Sequence, residues 1–147
     1  MNSNKQVSRE ELFGLVNGKL PMRINRYLGA RFRAAGIGIT VEQWTVLACL
    51  WQQDKVSQQS LVQTTYRDKT SVTRLIDNLE KQGFVVRVSD MADRRANVIY
   101  LTRQGIDLEQ KATAVVEEVV ERTLRILTEE EVSMGKALLR KVFDNLA

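Results

Sequence analysis

DKTSVTRLIDNLEKQGFVVRVSDMADRRANVIYLT, residues 68–102, combines a helix that has two different faces with a pair of strands. Asp68 is a favourable N-cap, and Gly83 stands where the C′ residue of a helix is expected. Between them, apolar residues recur at helical spacing and are predicted to be buried together. These residues are Val72, Leu75, Ile76 and Leu79.

The opposite face of this predicted helix is polar. It holds Thr70, Arg74, Asp77 and Lys81, with Thr73 and Asn78 at its edges. Such a face is either solvated surface, with Arg74 paired to Asp77, or the face of a recognition helix. Thr, Ser and Arg in the first turns favour the second interpretation, because these side chains can reach the edges of DNA bases. The helix alone does not separate the two interpretations.

Two strands are predicted to follow the helix. Residues 84–88 and 97–101 are rich in β-branched and apolar side chains, and a polar link joins them. That link carries Asp90, Asp93, Arg94 and Arg95. A lone two-stranded hairpin is marginal in water, so it must lean on a helical core and leave its charged tip projecting. A helix followed by a hairpin with a basic tip is the outline of a winged helix-turn-helix.

The composition restricts the chemistry that is open to this chain. The 147 residues include one cysteine and no histidine, so they can form neither an intrachain disulfide nor a Ser/His or Cys/His catalytic pair. A zinc site would lack its commonest ligand. An enzyme acting through carboxylates or tyrosines is a remote alternative, because no phosphate-binding glycine loop is present. We expect no enzyme activity, no metal and no cofactor.

The distribution of charge indicates which part of the chain can bind a polyanion. The net charge is +4, and residues 1–66, 67–103 and 104–147 contribute +4, +3 and −3. The basic part includes the predicted helix and hairpin, whereas the acidic C-terminal part is excluded as a polyanion-binding surface. The sequence has no apolar run long enough to cross a membrane, and its polar N-terminus does not resemble a signal peptide. A cytoplasmic protein is expected.

The rest of the chain is predicted to be helical. The helices span about residues 9–35, 41–53, 58–65, 103–127 and 129–146. The capping residues Ser8, Thr40, Ser57, Thr102 and Thr128 mark where they begin. Pro21 divides the first helix into a kinked helix or two abutting pieces. Residues 54–56 form a short turn or strand.

The first and last helices have more apolar surface than one small domain needs. We expect this surface to form a homodimer interface. Its candidate residues are Leu12, Phe13, Val16, Leu138, Val142 and Leu146. The alternative is that these helices fold back on their own domain. The predicted fold is α+β and mainly α, with a DNA-binding winged helix-turn-helix at about 40–102 and dimerisation helices at about 8–35 and 103–147.

Two motifs resemble the MarR family (multiple antibiotic resistance regulators). One is the recognition helix KTSVTRLIDNLEKQGFV at 69–85, and the other is the wing DRRANVIYLTRQG at 93–105. The family wing pattern falls on Asp93, Arg95, Leu101, Thr102 and Gly105. The stretch TVEQW at 40–44 resembles the start of the second helix of the family. The resemblance covers about residues 20–145, and the combination of both motifs is specific.

The resemblance implies a winged-helix homodimer whose two recognition helices enter successive major grooves of a palindromic DNA site. It implies a transcriptional regulator, most often a repressor, that is released by a small aromatic or anionic effector. Pro21 and Gly18 inside the first helix depart from the family pattern and affect the expected shape of the dimer arm. The alternative function is a winged-helix module that binds protein and tolerates the loss of Arg74 and Arg95.

Several side chains are candidates for DNA contact. Those for base edges or phosphates are Thr70, Ser71, Thr73 and Arg74, and those for phosphates are Ser57, Gln58, Gln59, Arg67, Lys69 and Arg94. By resemblance, Arg95 is the wing arginine that reaches the minor groove or its phosphates, and Asp93 braces the wing turn. The alternative for Arg94 and Arg95 is a solvated tip.

Other residues bear on regulation. An effector pocket could be lined by Arg23, Tyr27, Trp44 and Trp51, although aromatic residues at helical spacing more often belong to the core. Cys49 lies mid-helix among apolar residues, where a buried thiol has a raised pKa. We therefore expect Cys49 not to sense oxidants.

Overall fold

The computed structural model describes residues 8–93 and 95–147. A first helical segment consists of α1 (Arg9–Gly14), a π-helical turn (Leu15–Lys19) and α2 (Leu20–Ala34). It is followed by α3 (Val41–Gln52), β1 (Val56–Ser57), α4 (Gln58–Thr65) and α5 (Lys69–Lys81). The chain continues through β2 (Val85–Ser89), β3 (Asn97–Leu101), α6 (Arg103–Leu124) and α7 (Glu129–Asp144). This is the α+β, mainly helical architecture expected from the sequence.

The π-helical turn accounts for Pro21 inside the first helix. Pro21 lies in the first turn of α2, directly after the widened turn, where the Leu20 N–H donates to the Leu15 carbonyl. A proline has no N–H to donate, and its ring clashes with the carbonyl of the preceding helical turn. A π-helical turn gives that carbonyl more room. The helix therefore runs on from Arg9 to Ala34 without a break.

The predicted capping residues begin the helices. Thr40 and Gln43 form a reciprocal capping box at α3, and Thr128 and Glu131 form another at α7. Ser57, Asp68 and Thr102 each accept a hydrogen bond from the backbone N–H three residues later. Each cap satisfies a donor that has no partner within its helix. These side chains therefore fix where each helix starts.

The core joins the helix-turn-helix to the base of the wing. Phe32, Leu47, Leu50, Leu61, Val72, Ile76, Leu79, Val85 and Ile99 are at most 1% exposed. They come from α2, α3, α4, α5, β2 and β3, with α3 contributing Leu47 and Leu50 near its centre. Because the recognition helix and both long strands share this core, their relative positions are fixed by packing.

The wing is a three-stranded antiparallel sheet of order β1-β3-β2, not the two-stranded hairpin that we expected. Val56 pairs with Ile99 and Ser57 pairs with Val98. Asp54 precedes the added strand, and its Oδ1 atom accepts a hydrogen bond from the Leu101 N–H at 2.9 Å. The extra strand gives β3 a partner on each side, which a marginal hairpin would lack.

Gly105 is required where the wing, α5 and α6 meet. A Cβ atom at this position would overlap the Phe84 carbonyl oxygen. The same oxygen accepts a hydrogen bond from the Thr102 N–H at 3.0 Å, and Thr102 Oγ1 donates to the Gly83 carbonyl at 2.5 Å. A residue without a side chain therefore lets α6 start directly against the end of the recognition helix.

The terminal helices expose apolar side chains. Leu12, Phe13, Val16, Leu138, Val142 and Leu146 are 57%, 67%, 45%, 57%, 60% and 80% exposed. By contrast, α6 buries Ala112, Val115 and Val119 in the core of the same chain. Within the part of the chain that the structure describes, α7 contains no buried residue. Over the same residues, no helix has the length and apolar character needed to span a membrane.

Candidate nucleic-acid interface

The start of α5 is built by Asp68 and Ser71. The Asp68 carboxylate accepts hydrogen bonds from the Ser71 hydroxyl at 2.7 Å and from the Ser71 N–H at 2.8 Å. The hydroxyl bond, followed by the backbone bond, lowers the pKa of Asp68 below its ordinary value. The Ser71 hydroxyl therefore donates its proton within the protein, and only its oxygen lone pairs remain for a DNA contact.

The outward face of α5 presents Thr70 and Arg74 to solvent. Among residues 8–93 and 95–147, Arg74 makes no ion pair. If this face were only solvated surface, Arg74 would be expected to pair with Asp77. The Asp77 carboxylate instead binds Arg87, at a distance of 2.7 Å. The guanidinium of Arg74 can therefore reach for a ligand without first breaking a salt bridge.

Thr73 is occupied by contacts inside the helix-turn-helix. Its hydroxyl donates to the Lys69 carbonyl at 2.8 Å and accepts from Gln58 Nε2 at 2.8 Å. The second bond ties the start of α4 to α5. Thr73 is half-buried. Its observed role is thus to hold the two helices together, with one oxygen lone pair left over.

The wing tip is organised by backbone hydrogen bonds. Asp93 Oδ1 accepts from the Arg95 N–H at 3.0 Å, and the Asp93 carbonyl accepts from the Ala96 N–H at 3.0 Å. The Asp90 N–H donates to the Ala96 carbonyl at 2.9 Å and closes the loop. Arg95 is exposed beyond this turn. Arg94, which we predicted to contact phosphate, lies outside the described residues.

A cleft of about 580 Å³ separates the wing from the helix-turn-helix. Its lining consists of Ser57, Gln58, Gln59, Val62, Lys69, Asp93, Arg95, Ala96 and Asn97. The charged side chains of this lining are the cations of Lys69 and Arg95 and the carboxylate of Asp93. The lining also includes the start of α4, and the first backbone N–H groups of a helix have no partner within it and attract anions. The cleft therefore combines a net positive charge with a helix N-terminus, an arrangement that suits a phosphate group.

Some of the residues that we predicted to contact phosphate line this cleft and others do not. Ser57, Gln59 and Lys69 line the cleft, whereas Arg67 is half-buried in the turn between α4 and α5. Sequence reasoning missed Asn97 as a lining residue, because it read Asn97 only as the first residue of a strand. A polar amide directly after the charged tip was the available signal.

Comparisons with known proteins find transcriptional regulators. The MarR family model matches residues 39–96. The HTH-type transcriptional regulator PrsX of Escherichia coli is 28% identical over 133 residues, which cover 89% of this chain and 76% of PrsX. An uncharacterised HTH-type transcriptional regulator of Bacillus subtilis, YdgJ, is 27% identical over 84% of this chain and 74% of its own length.

Solved structures share both the fold and part of the sequence. A MarR transcriptional regulator from Methanosarcina mazei Go1 superposes with a TM-score of 0.81 at 26% identity, over 92% of this chain and 97% of its own. The S. aureus MepR–DNA complex superposes with a TM-score of 0.84 at 27% identity, over 92% and 98%. Together these matches support a MarR-family winged helix-turn-helix regulator. MarR family proteins are transcriptional regulators and not enzymes.

Three of the residues predicted to line an effector pocket pack against the core. Trp51 Nε1 donates to the Gly105 carbonyl at 3.0 Å, and Trp44 and Tyr27 are half-buried against core residues. The Arg122 guanidinium lies 5.3 Å from the centre of the Tyr27 ring. Arg23 is exposed on α2. The three aromatic residues thus pack against the core, and an effector pocket beside them stays a prediction.

Cys49 is half-buried in α3. Burial raises the pKa of its thiol above the ordinary value, because a thiolate is poorly solvated there. A thiol with a raised pKa is largely protonated at neutral pH and reacts slowly with oxidants.

Proposed function

We propose that this chain binds DNA as a homodimer at a palindromic site and represses transcription until a small effector releases it. The observation that carries DNA binding is the cleft beside α5, which brings Lys69, Arg95 and the N-terminus of α4 together. Cations gathered around a helix N-terminus bind phosphate groups, and the DNA backbone offers phosphates in a continuous row, so we prefer DNA binding to the protein-binding alternative.

The proposed contacts fall into two groups. Arg74 and Thr70 face outward on α5 and would meet base edges in the major groove. Lys69, with Ser57, Gln58 and Gln59 at the start of α4, would hold one strand of the phosphate backbone. Arg95 would reach the neighbouring minor groove or its phosphates. Ser71 and Thr73 would contribute through their remaining oxygen lone pairs.

The homodimer is supported by the exposed faces of the first and last helices. Leu12, Phe13 and Val16 form one apolar group, and Leu138, Val142 and Leu146 form another, all exposed in the single chain. Covering both groups with a second copy removes this apolar surface from water. Two-fold symmetry then places two recognition helices in opposite orientations, and the matching DNA site is a palindrome.

Repression and release by an effector follow the common behaviour of the family. An effector that is aromatic or anionic would find aromatic and basic groups between the terminal helices and the core. Tyr27, Trp44, Arg23 and Arg122 provide these groups. Such a ligand acts only if it binds the DNA-free form more tightly than the DNA-bound form.

The test is selection of duplexes from a randomised pool by the purified chain, followed by footprinting. We expect a selected sequence with two-fold symmetry, protected over two successive major grooves. The same duplex placed upstream of a reporter should lower transcription when the chain is present. Failure to enrich any sequence, together with unchanged weak affinity after Arg74→Ala, would favour the protein-binding module.

A further inference from the structure

Arg87 on β2 engages both acidic side chains of the recognition helix. Its Nη2 atom lies 2.7 Å from Asp77 Oδ1, and its Nη1 atom lies 3.6 Å from Glu80 Oε1. The Arg87 N–H donates to Glu80 Oε2 at 3.0 Å. The Arg87 side chain is 22% exposed, whereas those of Asp77 and Glu80 are 45% and 40% exposed. The guanidinium of Arg87 therefore contacts both carboxylates of α5, and the backbone N–H of the same residue also binds Glu80.

This arrangement decides which neighbour Asp77 binds. Residues three or four apart on a helix lie side by side, so Arg74 and Lys81 are both within reach of Asp77. In the structure neither forms this pair, because the carboxylate is taken by Arg87 from the neighbouring strand. Glu80 is six residues from Arg74 and does not share its face. Asp77 is thus the one carboxylate of α5 that could capture Arg74.

Capture of Arg74 would work against DNA recognition. An Arg74–Asp77 pair would hold the guanidinium along the helix surface and away from a base edge. An unpaired carboxylate at this position would also repel the phosphates of bound DNA. A basic side chain that pairs with Asp77 from the neighbouring strand prevents both the capture of Arg74 and the repulsion of phosphates.

We propose that Arg87 is a positioning residue for sequence readout: it binds Asp77 and so keeps Arg74 available to a base. This inference rests on the proposed role of Arg74 in DNA binding. Arg87 itself faces the protein and contacts no DNA in this account. Its effect reaches the base only through Asp77 and Arg74.

A set of substitutions separates this role from a general structural one. The measurement is the affinity for a duplex selected by the wild-type chain, divided by that for a scrambled duplex of equal composition. Arg87→Met keeps most of the side-chain volume and loses the charge. We expect it to lower this ratio about fivefold, and Arg87→Lys to lower it less. Adding Asp77→Asn to Arg87→Met should restore the ratio, although the Arg87–Asp77 bond is absent from both variants.

A matched control is Arg31→Met, which breaks the 3.0 Å pair between Arg31 on α2 and Glu118 on α6. That pair also joins two elements of the core but lies away from α5, so the ratio should not change. If Arg87→Met does not fold, Arg87→Gln keeps hydrogen-bond donors at the site and takes its place. In a chain that already carries Arg74→Ala, adding Arg87→Met should not lower the affinity ratio any further.

The outcomes distinguish the inference from the function on which it rests. If Arg74→Ala leaves the ratio unchanged, Arg74 does not read a base, and both the proposed contact and this inference are wrong. If Arg74→Ala lowers the ratio but Asp77→Asn fails to rescue Arg87→Met, only the positioning role is wrong. The positioning role would also be wrong if Arg31→Met lowered the affinity ratio as much as Arg87→Met does.

Discussion

The indole N–H of Trp51 donates to the Gly105 carbonyl at 3.0 Å, and this bond ties the end of α3 to the first turn of α6. A Cβ atom at Gly105 would overlap the Phe84 carbonyl oxygen, so the two backbones approach closely at this point. The two contacts fix the base of the wing to the helical core. Substitutions at this junction should therefore affect the whole winged helix-turn-helix and not only one element.

Gly105→Ala should destabilise the protein by about 1–3 kcal/mol or more, because its methyl group would overlap backbone that cannot give way. Gly29→Ala is the matched control. Its methyl group would meet only ordinary contacts with Arg33 and Val41, so it should stabilise α2 by about 0.5–1 kcal/mol. Chemical denaturation at one protein concentration measures both. Equal stability of Gly105→Ala and the wild type would show that the close approach is not rigid.

Arg74 and Arg95 should affect DNA binding differently. Arg74→Ala should cost about 1–3 kcal/mol per half-site and relax discrimination at one position, if it reads a guanine. Arg95→Ala should weaken binding to selected and scrambled duplexes more evenly and reduce the salt dependence by about one counterion per wing. Titrations at several salt concentrations separate the two effects. If Arg74→Ala lowers both affinities equally while Arg95→Ala removes only the preference, the two roles are reversed.

The chain should sediment as a dimer at micromolar concentration. Phe13→Asp or Leu138→Asp should shift it towards monomer, because each places a charge in the apolar surface that a second copy would cover. Met91→Asp is the control: Met91 is fully exposed on the wing and should leave the oligomeric state unchanged. A folded monomer of the wild-type chain at this concentration would contradict the proposed interface.

The cap at Asp68 should make a pH-dependent contribution to stability. Its pKa is lower in the folded protein than the ordinary value of 3.8, because the Ser71 hydroxyl and N–H stabilise the carboxylate. The contribution is therefore complete above the ordinary value and is lost as pH falls through the lowered folded value. Asp68→Ala should be less stable than the wild type at neutral pH. In strong acid the denaturation curves of the two proteins should converge. If the difference in stability persists there, the ionised carboxylate of Asp68 is not its cause.

Features set by neighbouring residues could be predicted from the sequence. The caps at Thr40, Ser57 and Asp68 depend on a hydrogen bond to a residue three positions away, so the local pattern contains all the information. The strand at 97–101 and the helix at 58–65 were likewise predicted with the bounds that the structure has. The resemblance to the MarR family, which the comparisons support, also followed from local motifs in the recognition helix and wing.

Features set by distant residues could not be predicted in the same way. The pairing of Val56 with Ile99 joins segments far apart in the chain, and a two-residue strand has almost no pattern of its own. The Arg87–Asp77 ion pair could not be predicted either. Asp77 has basic residues three and four positions away on its own helix, and the sequence favours these as its partners. The π-helical turn was missed because a proline signals a disturbed helix without specifying the form that the disturbance takes.

Ser57 belongs to two structures at once: it pairs with Val98 in the sheet, and its hydroxyl caps α4 by accepting from the Ser60 N–H at 3.0 Å. The sheet therefore cannot slide by a residue without uncapping a helix that lines the cleft. In the proposed complex, DNA would meet a groove whose inner wall is assembled before it arrives, so binding would not carry the entropic cost of ordering that wall.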